Sequence, residues 1–147
     1  MAPEAGGYLA GVRTPRLTRI LSPALAASLA LAGCGTGADR TQVREVTARF
    51  FAALNGHRAG DACRQLSPSL RKTLAQEHTA PDCAAAVAKV KTRGSAVKAV
   101  RVYATSARLD LAGGESVFLS AMRDGWRIDA LGCRPRSSGP YECEEQG

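Results

Sequence analysis

Residues 107–130 read ARLDLAGGESVFLSAMRDGWRIDA, and this stretch decides the fold class. Ala107, Leu109 and Leu111 alternate with Arg108 and Asp110. A period of two is the mark of a strand with one face in a core and the other turned outward. Gly113-Gly114 supplies residues that tolerate the positive φ of a tight hairpin. Val117, Leu119 and Ala121 then share one face of the next strand, and Phe118 and Met122 the other. Asp124-Gly125 is a second hairpin signal, and Trp126-Arg127-Ile128-Asp129-Ala130 is the return strand. Upstream, Val97, Val100 and Val102 with Tyr103 predict one more strand. The whole is an antiparallel meander.

Before Gly94 the period is helical. Val43, Val46, Thr47, Phe50, Phe51 and Leu54 form one apolar stripe, which predicts a helix from Asp39 to Leu54. Asp39 or Thr41 can cap its start, Glu45 and Arg49 make a favourable i,i+4 pair, and Asn55-Gly56 ends it. Phe50 and Phe51 are read as core side chains under the sheet. A short helix is expected from Gly60 to Leu66. Ser67-Pro68 starts a third, running to about Glu77 with Leu70 and Leu74 inward. Pro81-Asp82 opens a fourth, from Cys83 to Lys91. Helices first and an antiparallel sheet second make an α+β domain over 39–133, with the helices on one sheet face. The tail, 134–147, is rich in Pro, Gly and Ser near its start and is expected to lack regular structure there.

At the other end, Arg13, Arg16 and Arg19 precede an apolar run from Ile20 to Ala32. Ser22 and Pro23 interrupt that run, which falls short of the roughly 20 residues a membrane span needs. The run closes on Leu31-Ala32-Gly33-Cys34, which resembles the bacterial lipoprotein lipobox. The resemblance implies that 1–33 is a signal peptide removed on export. It implies that Cys34 becomes the lipidated first residue and that membrane lipid is a partner through Cys34. The domain is then held on the extracytoplasmic face of the cell membrane. Gly35-Thr36-Gly37-Ala38 is expected to be a flexible tether, so 34–38 is the anchor segment. Residues 1–11 lack the positive charge of a signal start, and Val12 is the expected translation start.

The chain has five cysteines, and an odd count in an exported protein calls for a reason. Lipid on Cys34 supplies one and leaves Cys63, Cys83, Cys133 and Cys143 for an oxidising compartment. The expected pairs are Cys63–Cys83, across neighbouring helices brought together by the Ser67-Pro68 and Pro81 turns, and Cys133–Cys143, bracketing the tail loop. No Cys-x-x-Cys spacing suggests zinc, and no glycine loop matches a phosphate or dinucleotide cradle. The 147-residue chain carries a formal net charge of +7. Residues 1–33 hold Arg13, Arg16 and Arg19 against Glu4, so the remainder keeps a net +5, its basic residues scattered among acids, and nucleic acid is not an expected partner.

The order of elements, with the Asp124-Gly125-Trp126-Arg127-Ile128 hairpin, resembles the nuclear transport factor 2-like superfamily over Asp39 to Cys133. The chain is also similar to small lipoproteins of high-GC Gram-positive bacteria. The first resemblance implies a cone, a bent sheet wrapped around a long first helix. Its enzyme members, among them ketosteroid isomerases and polyketide cyclases, work inside the cone with acids, histidines or tyrosines. Those roles find no position here. His57 is expected in a solvated loop and His78 at a helix end. Asp110 and Asp129 are expected on a solvated sheet face, and Trp126 in the core or at a sheet edge. No catalytic, cofactor or metal residue is therefore expected. The expected role is binding, of a protein or a small molecule. The rivals are a surface enzyme of the same superfamily and an accessory subunit of a membrane complex. Arg40 and Arg44, one turn apart, are expected to face lipid headgroups.

Overall fold

The computed structural model describes residues 36–92 and 94–147. Four helices, α1 (Thr36–Asn55), α2 (Ala59–Arg64), α3 (Pro68–Glu77) and α4 (Cys83–Val87), precede five strands, β1 (Val97–Tyr103), β2 (Ser106–Leu111), β3 (Ser116–Met122), β4 (Gly125–Cys133) and β5 (Glu145–Gln146). The strands form one antiparallel sheet in the order β1-β2-β3-β4-β5. The fold is α+β, helices followed by a curved antiparallel sheet.

The core lies between the helices and one sheet face. Val43, Val46, Phe50 and Phe51 of α1 meet Leu66 of the α2–α3 link, Leu70 and Leu74 of α3, and Leu109, Val117, Leu119, Trp126 and Ile128 from the sheet, all buried. Phe50 and Phe51 contact edge to face, with ring centroids 5.2 Å apart. The period-two reading of β2 and β3 holds as far as Leu119. Beyond it Ala121 emerges at the turn and is exposed. Thr47, alone among polar stripe residues, is buried, and its hydroxyl donates to Val43 O at 2.9 Å, so it costs the core no unpaired donor.

Helix α3 starts as its sequence dictates. Ser67 Oγ accepts from Leu70 N at 3.1 Å, and Pro68 takes the first position, where no amide donor is needed. Asp82 caps α4 in the same way, accepting from Ala85 N at 2.8 Å. This helix ends at Val87, short of the Lys91 expected. The bonds from Lys89 N to Ala86 O and from Val90 N to Val87 O tighten its exit, and Val90 and Thr92 turn inward and are buried. Cys63 and Cys83 are bonded, with Cα atoms 6.1 Å apart, and Cys133 is bonded to Cys143. Both pairs are those the sequence predicted.

Two expectations change at the ends. Helix α1 begins at Thr36, so Thr36, Gly37 and Ala38 are helical, not tether, and Asp39 is not the cap. Thr41 Oγ1 donates to Gly37 O at 3.2 Å within the added turn, and Asp39 Oδ1 instead accepts from the Trp126 indole at 3.2 Å. The tail ends in β5, which pairs with Ala130 and Leu131 of β4. The signal segment and Leu31-Ala32-Gly33-Cys34 lie outside the described residues.

Candidate functional site

Strand alternation sends Arg108, Asp110, Phe118, Ser120 and Asp129 to the sheet face opposite the helices. That face is not left to solvent, as Asp110 and Asp129 were expected to be. The tail crosses it. The Cys133–Cys143 bond, the Arg134–Glu142 bridge and β5 hold the tail at both ends. Tyr141 is thereby pressed edge to face on Phe118, with centroids 5.1 Å apart. The Arg108 guanidinium lies 5.4 Å from the Tyr141 ring centre, and its Nη1 donates to the phenol oxygen at 2.9 Å.

A cavity of about 440 Å³ remains between tail and sheet. Phe118, Leu119 and Ala130 form its floor, Pro140 and Tyr141 its roof, and Ser120 and Asp129 its polar corner. The Ser120 hydroxyl donates to Asp129 Oδ2. Asp129 is the one charged side chain lining this cavity, and it has no ion-pair partner among the described residues. The nearby Arg127 is turned to Asp124 and to Trp126 O. A half-buried carboxylate, a hydroxyl and two aromatic rings around an apolar floor suit a small molecule with a cationic head and an apolar body.

Beside this cavity Asp110 anchors a second polar group. Its carboxylate takes Arg101, the Arg108 Nε at 3.0 Å and the Ser116 hydroxyl at 2.8 Å. Burial alone would raise its pKa. The hydrogen bonds from Ser116 and Arg101 and the charges of Arg108 and Arg101 outweigh burial and hold it below the ordinary 3.8. Asp110 thus neutralises the guanidinium next to Tyr141, and Asp129 remains the charged side chain facing the larger cavity.

The two histidines sit elsewhere. His57 is exposed after α1, at φ 55, on the rim of a cavity of about 280 Å³ with Leu54, Ala59 and Val90. His78, expected simply to cap a helix end, is half-buried, with Nε2 2.9 Å from Glu145 Oε1, while Lys89 Nζ donates to its carbonyl at 2.9 Å. With Thr92 donating to Glu144 at 3.1 Å, His78 fastens the tail to the helical layer. Sequence reading missed Tyr141 and the tail acids. The available signal was an aromatic residue in an otherwise polar tail, opposite Phe118 on an outward strand face.

Among the described residues no group of three or more His, Cys, Asp or Glu side chains is placed to hold a metal ion, and no helix is long and apolar enough to cross a membrane. Comparison of the chain with protein-family models, with curated proteins and with solved structures finds no match.

Proposed function

We propose that this chain is an extracytoplasmic lipoprotein, tied to the membrane through Cys34, whose domain binds a small ligand and does not transform it. The lipobox-like stretch Leu31-Ala32-Gly33-Cys34 supports the anchor, and so does the pairing of all four remaining cysteines. The long α1 under a curved sheet supports a nuclear transport factor 2-like cone. In that fold the enzymes act between helix and sheet. Here Phe50, Leu66, Leu109 and Ile128 fill that space and are fully buried.

The observation that carries the binding role is the cavity beneath the tail, with Asp129 as its one charged side chain. It is of ordinary ligand-site size. It offers a carboxylate for a cation and aromatic surface for an apolar group, with no histidine or second acidic side chain in its lining to move a proton. The ligand class is an amine with an apolar body.

Titration of the purified protein with phenethylamine, followed by NMR shifts of the Phe118, Ser120 and Tyr141 signals, tests this. Saturable shifts are expected, with affinity at least about tenfold weaker in Asp129→Asn, which corresponds to about 1.4 kcal/mol. Equal affinity of the variant, or no saturable shifts, defeats the reading.

A further inference from the structure

Three parts of the domain meet at one end. The β1–β2 turn at Ala104-Thr105 and the β3–β4 turn at Arg123-Asp124 lie side by side, since Ala121 N donates to Thr105 O at 2.8 Å and Ser106 pairs with Ser120. The start of α1 joins them, because Trp126, just past the second turn, holds Asp39. The opposite end carries the Ala112–Glu115 turn and Val97, which pairs with Leu111.

The surface of the first end is unusual. Tyr103 is 54% exposed and Met122 36% exposed. Of the large apolar side chains exposed among the described residues, only Val97 belongs to the other end. Arg40, Arg44 and Arg123 are exposed here without ion-pair partners among the described residues. The nearby acids are engaged, Asp39 with Trp126 and Asp124 with Arg127. Net positive charge therefore surrounds two protruding apolar side chains.

The anchor enters at the same place. Only Gly35 lies between Cys34 and the start of α1 at Thr36, and the two Cα steps reach at most about 7 Å. We propose that this end is a lipid-docking surface, with Tyr103 and Met122 set into the membrane interface and Arg40, Arg44 and Arg123 against anionic headgroups. The proposal rests on the Cys34 anchor. Tyrosine suits the interface, with an apolar ring and a wet hydroxyl. Methionine adapts to an irregular apolar surface. Arginine adds an attraction to anionic lipid that salt screens. Docking by two turn tips and a helix start would fix the domain's orientation, where a lipid chain alone leaves it free to tumble.

The test uses the protein extracted from its membrane and reconstituted into vesicles of phosphatidylcholine and phosphatidylglycerol that contain a photoactivatable phospholipid. Mass spectrometry reads both the lipid on Cys34 and the sites of labelling. Label is expected on Tyr103–Thr105 and Met122–Asp124 at several times the level on Ala112–Gly114, and the combined Tyr103→Ser, Met122→Ser variant should lose the excess while Cys34 stays lipidated. With Cys34 lipidated, label that is even, concentrated on Ala112–Gly114, or unaffected by the double substitution overturns the docking surface and leaves the anchor standing. Turns shielded by a co-purifying protein in place of lipid overturn it equally. Cys34 without lipid overturns the anchor and the docking surface together.

Discussion

Arg108 Nε stands 3.0 Å from Asp110 Oδ1, two residues along the same face of β2. The contact is an ion pair whose N–H makes no directed hydrogen bond. Its worth depends on Asp110 staying ionised under the tail. The folded pKa of Asp110 lies below the ordinary 3.8. The group therefore stabilises the fold fully above that value, and the contribution is lost as pH falls through the lower, folded value. Asp110→Asn is expected to lower stability by about 1–3 kcal/mol near pH 7. Urea unfolding at a series of pH values should show the gap from wild type closing below about pH 4. A gap that stays constant into acid would mean the charge is not its source.

Each disulfide has its own expected signature. Cys63–Cys83 spans 20 residues, and its loss frees the unfolded chain by about 3 kcal/mol in the entropic description. Cys63→Ala and Cys83→Ala should therefore cost nearly as much singly as together, measured by denaturant midpoint. Additive losses would show that each side chain matters for its own contacts and not for the bond.

Cys143→Ala has a different reach, because Cys133–Cys143 holds the roof of the cavity. Besides a stability loss of about 3 kcal/mol, it should weaken phenethylamine binding, since Pro140 and Tyr141 are no longer held over Phe118. Unchanged affinity in the variant would place the amine elsewhere.

Gly132 takes φ 63 inside β4, and a Cβ there would lie 2.9 Å from both Glu144 and Thr92. Gly132→Ala is expected to cost about 1–3 kcal/mol, from the left-handed backbone and from displacing the Thr92–Glu144 hydrogen bond. Thermal unfolding measures it, and a neutral result would show that the tail moves aside freely.

Cys34→Ser is expected to lose lipid and normal processing, read by metabolic labelling with a fatty-acid analogue. Two or more acyl chains make a stable anchor where one does not. Equal label in variant and wild type would refute the assignment.

The meander was legible because a period of two, broken by Gly113-Gly114 and Asp124-Gly125, is a local signal. The Cys63–Cys83 pair was legible because turns beside Pro68 and Pro81 bring short helices together, and Cys133–Cys143 because the two bracket a loop rich in Pro, Gly and Ser. The tail's place was not. His78 and Glu145 are 67 residues apart, and nothing local in either says that they meet. Asp110 and Asp129 looked solvated for the same reason, since alternation tells which face a side chain takes and not what later covers that face. The first turn of α1 was hidden because glycine and threonine are weak helix formers. The contact that fixes it, Trp126 to Asp39, spans 87 residues.

Strand β4 has a further consequence for how copies of the domain meet. One side of it pairs with β3, and its outer rim is occupied from Ile128 onward. Ser67 N and Gln65 O bond Ile128, β5 pairs Ala130 and Leu131, and Arg134 bridges Glu142. A neighbour cannot extend the sheet there without first unfastening the α2–α3 link and the tail. Of the two outer strands among the described residues, β1 is the longer, since β5 spans only Glu145–Gln146. A register shift between Val97 and Ala99, with Lys98 and Arg101 exposed, makes it irregular and charged. Such rims resist pairing with a second copy. Crowding many copies side by side therefore favours separate domains over a shared, growing sheet.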